Sequence, residues 1–127
     1  MNSDAYILIV SKDQMLLHTR KLILGSYFQV ETAGRVSLAR SLIAQQTFDL
    51  IILCHTLSEG ERQQVIGLVD EQNPRPKVLT LSALGYYYSD TGTGPKFMTE
   101  DGPFALIKKS AELLGFNLNS GDRLAQG

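Results

Sequence analysis

Few side chains in this 127-residue sequence could carry out chemistry, and most of them fall just after short apolar runs. "LIIL" ends at Leu53 and is followed at once by Cys54 and His55; "YILIV" ends at Val10 and is followed by Ser11, Lys12 and Asp13. Ser82 follows "VLTL", and Glu100, Asp101 and Gly102 follow "KFMT". A thiol beside an imidazole suggests a nucleophile with its base, or a pair of metal ligands. Adjacent residues on a strand face opposite sides, however, so Cys54 and His55 are poorly placed to act together. Lys12 could lower the thiol pKa, which would make Cys54 a redox switch; the plainer reading is a small buried residue closing the core. With one cysteine and two histidines, neither an intramolecular disulfide nor a transition-metal site is expected. His18 reads as part of a solvated helix face rather than as a phosphotransfer histidine. "TGTGPK" (91–96) lacks the spacing of a phosphate-binding loop and reads as a plain loop.

The elements that must position these groups follow from hydrophobic period. A continuous apolar run at 5–10 predicts a central strand covered on both faces, and further strands are predicted at 49–53, at 78–83 and, with alternation, at 27–33. Between them lie helical patterns. In the first, Met15, Thr19, Leu22 and Ile23 share the predicted inner face, Asp13 is the N-cap or first-turn acid, and Gly25 stands where a C-cap glycine belongs. The second (35–46) turns Val36, Ala39 and Ile43 inward, and the third (61–72) turns Val65, Leu68 and Val69 inward. A last helix over 103–115 opens on Pro103, buries Ile107, Ala111 and Leu114, and ends at Gly115. Strand–helix alternation with short connections predicts an α/β fold with a parallel sheet. Ligands of such sheets bind outside the carboxyl ends of the strands, where Ser11, Lys12, Cys54, Ser82 and Gly102 should converge.

The alternation breaks after Ala83. "LGYYYSDTGTGPK" (84–96) holds three consecutive tyrosines, three glycines and a proline where another helix is due, so a loop is predicted there, with 96–99 as a short fifth strand. Tyr86, Tyr87, Tyr88 and Phe97 offer rigid amphipathic contact area and are the candidate partner surface. The alternative is that the tyrosines cover sheet left bare by the missing helix.

Composition fits one ordinary globular domain: 43% hydrophobic, 20% charged and a net charge of -1. Nothing in that charge favours nucleic acid. No apolar run reaches the ~20 residues needed to cross a bilayer, and the acidic start "MNSDAYILIV" is unlike a signal peptide. A cytoplasmic protein without cofactor or metal is expected, with a domain over 1–116 and a polar tail over 117–127.

The segments "ILIVSKD", "VETAGRVSLARSLIAQQTFDLIIL" and "VLTLSA" resemble the receiver domains of bacterial two-component response regulators across residues 5–115. That resemblance implies a CheY-like, flavodoxin-like doubly wound sheet of five parallel strands in the order 2-1-3-4-5, here with the fourth helix lost or reduced to a loop. It also implies a phosphorylation pocket, and here the pocket is degenerate. Cys54 stands at the phosphoacceptor aspartate position, Ser11 and Lys12 at the acidic pair that holds Mg²⁺, and Gly102 at the conserved lysine. Ser82 keeps the family type, and the aromatic switch position falls at or near Thr99. Mg²⁺ requires carboxylate oxygens, which Ser11, Lys12 and Cys54 do not supply. Removing the crowded acids also relieves repulsion worth about 1 kcal/mol or more. The expectation is a stand-alone, non-enzymatic pseudo-receiver. It would signal by contact with a protein partner or by self-association, without Mg²⁺-dependent aspartyl phosphorylation.

Overall fold

The computed structural model describes residues 5–81, 86–89, 96–97 and 103–115. Ser82, Gly102, the acidic pair at 100–101, Thr99 and the 117–127 tail lie outside the described residues. The elements run β1 (Tyr6–Val10), α1 (Gln14–Leu24), β2 (Gln29–Ala33), α2 (Val36–Gln45), β3 (Leu50–Leu53), α3 (Glu59–Asp70), β4 (Lys77–Leu81), β5 (Tyr86–Ser89), β6 (Lys96–Phe97) and α4 (Pro103–Leu113). They form one sheet in the order β2-β1-β3-β4-β5-β6.

The first four strands are parallel, as their unbroken apolar runs require: Ile7 to Val10 and Leu50 to Leu53 are all 0% exposed, each strand buried on both faces. Alternate residues feed two cores. Ile7, Ile9, Leu50, Ile52, Leu79 and Leu81 pack with Leu17 and Leu24 of α1 and Leu106, Ile107 and Ala111 of α4. Leu8, Val10, Ile51, Leu53 and Val78 pack with Ala39 and Ile43 of α2 and Val65 and Val69 of α3. The flavodoxin-like class and the strand order 2-1-3-4 are therefore as the sequence predicts.

The fifth position differs. The tyrosine segment, read from sequence as loop, is strand β5 and lies antiparallel beside β4, with Thr80 opposite Tyr88 and Leu81 opposite Tyr87. The expected fifth strand is present as β6, but displaced one place outward, pairing antiparallel with β5 (Tyr86 opposite Phe97). The parallel sheet thus ends at four strands, and a hairpin takes over. Tyrosine's preference for pleated surface favours this over a loop. Among the described residues no helix lies between β4 and α4. Cross-strand partners share a sheet face, so Tyr86, Tyr88 and Phe97 occupy register positions on the α2–α3 face, in line with Thr80.

The inner face of α1 also departs from the prediction. Met15 and Leu22 are 76% and 63% exposed and Thr19 is exposed, whereas Leu17 and Leu24 are buried and Leu16, Arg20 and Ile23 are half-buried. Apolar residues at 15–17 and 22–24 fit two helical phases, and the observed one half-buries Arg20 together with Leu16 and Ile23. An arginine stem can lie along the core while its head finds a polar partner. Gly25 does cap α1, but in right-handed conformation (φ -64°); a Cβ there would meet the Lys21 carbonyl oxygen at 2.6 Å. The need is space, not left-handed backbone. Gly115, at φ +74°, does use glycine's left-handed freedom, just past the end of α4. Helix α3 begins two residues before the predicted start because Ser58 and Glu61 form a capping box.

Candidate functional site

The carboxyl ends of β1 and β3 meet where the sequence places them, and the side chains of Ser11, Lys12, Asp13 and Cys54 there are already bonded. Backbone pairing brings the two ends together, the Cys54 N–H donating to the Val10 carbonyl at 3.0 Å, while the Ser11 N–H donates to the Ala33 carbonyl at the end of β2 at 3.1 Å. Ser11 is fully buried. Its hydroxyl shares a 2.9 Å hydrogen bond with the Thr56 hydroxyl and accepts from the Asp13 N–H at 3.1 Å. The Lys12 N–H also donates to Thr56, at 2.9 Å. Thr56, which the sequence reading passed over, therefore ties the loop after β1 to the loop after β3.

Asp13 acts as the helix cap: its Oδ1 accepts from the N–H groups of Met15 and Leu16 at 2.9 and 3.2 Å. The Lys12 ammonium turns away from the thiol to Glu61 of α3, at 3.3 Å. Glu61 in turn accepts from the Ser58 N–H at 2.8 Å. That backbone bond first, and Lys12 second, hold the Glu61 carboxyl below its usual range. The Ser-x-x-Glu spacing at 58–61 was a readable signal for this acid.

Cys54 is 0% exposed, whereas His55 is exposed, so the two neighbours separate to opposite sides as strand geometry requires. The cation beside the thiol is Arg20, not Lys12: its Nη1 donates to Sγ at 2.7 Å. Burial nevertheless dominates and pushes the Cys54 thiol up, against the opposing pull of Arg20 and Ser11. A buried, protonated thiol is a poor nucleophile and a slow target for oxidants, which argues against the redox-switch alternative. His18 is exposed on α1, as predicted.

A divalent metal does not fit this donor set. Asp13 is engaged by α1, Glu61 by Ser58 and Lys12, and a lysine ammonium and an arginine guanidinium already supply positive charge. Mg²⁺ needs near-octahedral oxygen ligation led by carboxylates. Among the described residues, no three of His, Cys, Asp and Glu cluster at metal-binding distance. The arrangement ties loops together and pairs Lys12 with Glu61.

No protein-family model and no curated protein matches the sequence. Solved structures do match the fold. A CheY-like response regulator receiver domain protein from Methanospirillum hungatei superimposes with a TM-score of 0.69 at 24% identity, covering 89% of this chain and 95% of its own. A response regulator from Thermotoga maritima gives 0.68 at 17% identity, with 89% and 99% covered. The Francisella response regulator 1452 receiver domain gives 0.67 at 17% identity, with 88% and 98% covered. Identities this low establish a shared fold, and the chain has the fold of receiver domains. No helix among the described residues is long and apolar enough to cross a membrane.

Proposed function

We propose that this chain is a degenerate receiver that signals by contact with proteins, without Mg²⁺-dependent aspartyl phosphorylation and without enzymatic activity of its own. One observation carries the reading: in a receiver fold, the strand ends that would hold acids present Ser11, Lys12 and Cys54, and these are bonded to Thr56, Glu61 and Arg20. Phosphoryl transfer depends on positioning and on charge stabilisation by metal and lysine. Here Lys12 is neutralised by Glu61, and Arg20 is bonded to a protonated thiol instead of an acid.

The partner surface on this reading is the β5–β6 hairpin. It replaces a helix and a parallel strand, and its register lines Tyr86, Tyr88 and Phe97 along one face, with Tyr87 opposite Leu81 on the other. Either a protein partner or a second copy could use that face. Signalling through such contact places the protein among soluble two-component-type modules, consistent with a cytoplasmic location and with no role in nucleic-acid binding.

Incubation with acetyl phosphate and Mg²⁺, followed by intact mass measurement, tests the loss of phosphorylation. The expected spectrum contains the unmodified protein. A stable phosphoryl adduct on an acidic residue would overturn the reading.

A further inference from the structure

The free edge of the sheet on the β2 side carries a second surface, unrelated to the strand-end site and independent of whether that site can be phosphorylated. Strand β2 pairs with β1 over five residues without a bulge, and it contains neither proline nor lysine, both common guards of an exposed edge; its one charged residue, Glu31, lies on the opposite face from Val30 and accepts from the Tyr6 hydroxyl at 3.2 Å. The Gln29 N–H donates inward to Ala5 and the Ala33 carbonyl accepts inward from Ser11, so by alternation Val30 and Thr32 turn their N–H and C=O groups outward. Among the described residues no strand pairs with that outer side.

Beside this edge runs a shallow groove of about 610 Å³, with Phe28 and Val30 in its lining and His18, Lys21, Leu22 and Gly25 of α1 along it. The His18 and Lys21 side chains are exposed and have no hydrogen-bond or ion-pair partner among the described residues; no acidic residue lines the groove. Leu22, at 63% exposure, presents an apolar side chain to the same groove. An open strand edge, an apolar lining and a pair of unneutralised basic groups are the parts of a strand-addition site.

We propose that this groove docks an extended acidic–apolar segment of a partner protein, which adds to β2 as an edge strand. The segment's backbone would bond the outward groups of Val30 and Thr32, its apolar side chains would cover Leu22 and Val30, and its carboxylates would meet His18 and Lys21. A second copy of this chain is disfavoured, because pairing β2 with β2 brings the basic groups of both grooves toward one edge. The groove is too open to enclose a small molecule.

The probe is a capped peptide of about eight residues, a common strand length. It has threonine at alternate positions and valine and glutamate taking turns between them. Added to the ¹⁵N-labelled chain, it is expected to shift the Val30 and Thr32 amides and slow their hydrogen exchange. The exposed double variant His18→Glu, Lys21→Glu should bind about tenfold more weakly, as expected when the Lys21 charge is reversed and a second acid is added to the rim. A matched peptide with lysine replacing glutamate should bind more weakly as well. Unprotected Val30 and Thr32 amides, equal binding of the lysine peptide, or undiminished binding by the double variant would each overturn the proposal. Protection of the same amides on concentrating the protein without peptide would assign the edge to a second copy and overturn it too.

Discussion

Converting Cys54 to aspartate tests whether Arg20 governs the electrostatics of the strand-end site. The thiol is 0% exposed, so a carboxylate in its place loses its water entirely, at an effective cost of several kcal/mol. Arg20 Nη1 already lies 2.7 Å from the sulfur, a length that suits a charge-assisted N–H···O bond. The two effects nearly offset, and Cys54→Asp should lose only about 1–2 kcal/mol of stability. Arg20→Met alone should lose less than about 1 kcal/mol, because a neutral thiol is a weak acceptor. The double variant leaves a buried carboxylate unpaired and should lose about 3–5 kcal/mol. Urea unfolding of the four proteins, followed by circular dichroism, then gives a coupling energy of about 2 kcal/mol.

The pH dependence supplies an independent sign. With Arg20 present, desolvation and the guanidinium nearly offset, so the new carboxyl stays close to its unfolded pKa of about 3.9 and stability changes little between about pH 4 and 7. Without Arg20, burial raises its pKa, and stability instead falls as pH rises from about 4 toward 7. Additive losses within about 0.5 kcal/mol, or identical pH slopes with and without Arg20, would refute the argument.

Three further outcomes follow from the same geometry. Because burial raises the Cys54 thiol from its ordinary value of 9.0, its contribution to stability is complete below the unfolded pKa and declines as pH rises above it; Cys54→Ala should flatten the alkaline arm of a stability–pH curve, and folded Cys54 should alkylate far more slowly than unfolded. Asp13→Ala removes the acceptor for the Met15 and Leu16 N–H groups and should lower stability by about 1 kcal/mol in denaturant titration. Ser110 is fully buried on α4 and its hydroxyl has no hydrogen-bond partner among the described residues, so Ser110→Ala should raise stability by about 1 kcal/mol, seen as a higher Tm.

The sheet was legible because its central strands are buried on both faces and so are written as unbroken apolar runs. Helices α2 and α4 were legible too, with Ala39 and Ile43, and Ile107 and Ala111, on the buried faces predicted for them. Helix α1 was not, because apolar residues fill two phases and Arg20 contributes an apolar stem that a polarity pattern cannot register. The same oversight hid the thiol's real neighbour, since Lys12 is close in sequence to the strand end while Arg20 reaches it through the fold. Strand β5 was missed because glycines and a proline later in the window outweighed three residues of high strand preference. The placement of Ser11 and Cys54 followed from strand-end logic, but Thr56 joins them through a hydroxyl pairing between two loops that carries no spacing signature.

The hairpin of β5 and β6 has a consequence of parity. Each added antiparallel strand reverses the chain, and two restore its direction, so β6 runs the same way as β4. The chain can then enter α4 from the end a parallel strand would have offered, and α4 still reaches back to place its Leu113 carbonyl at the Lys77 ammonium at the start of β4. A single inserted strand would deliver α4 from the wrong end and strip it from α1. Between Leu81 and Pro103, then, an even number of added antiparallel strands keeps the chain direction that α4 needs, and an odd number reverses it.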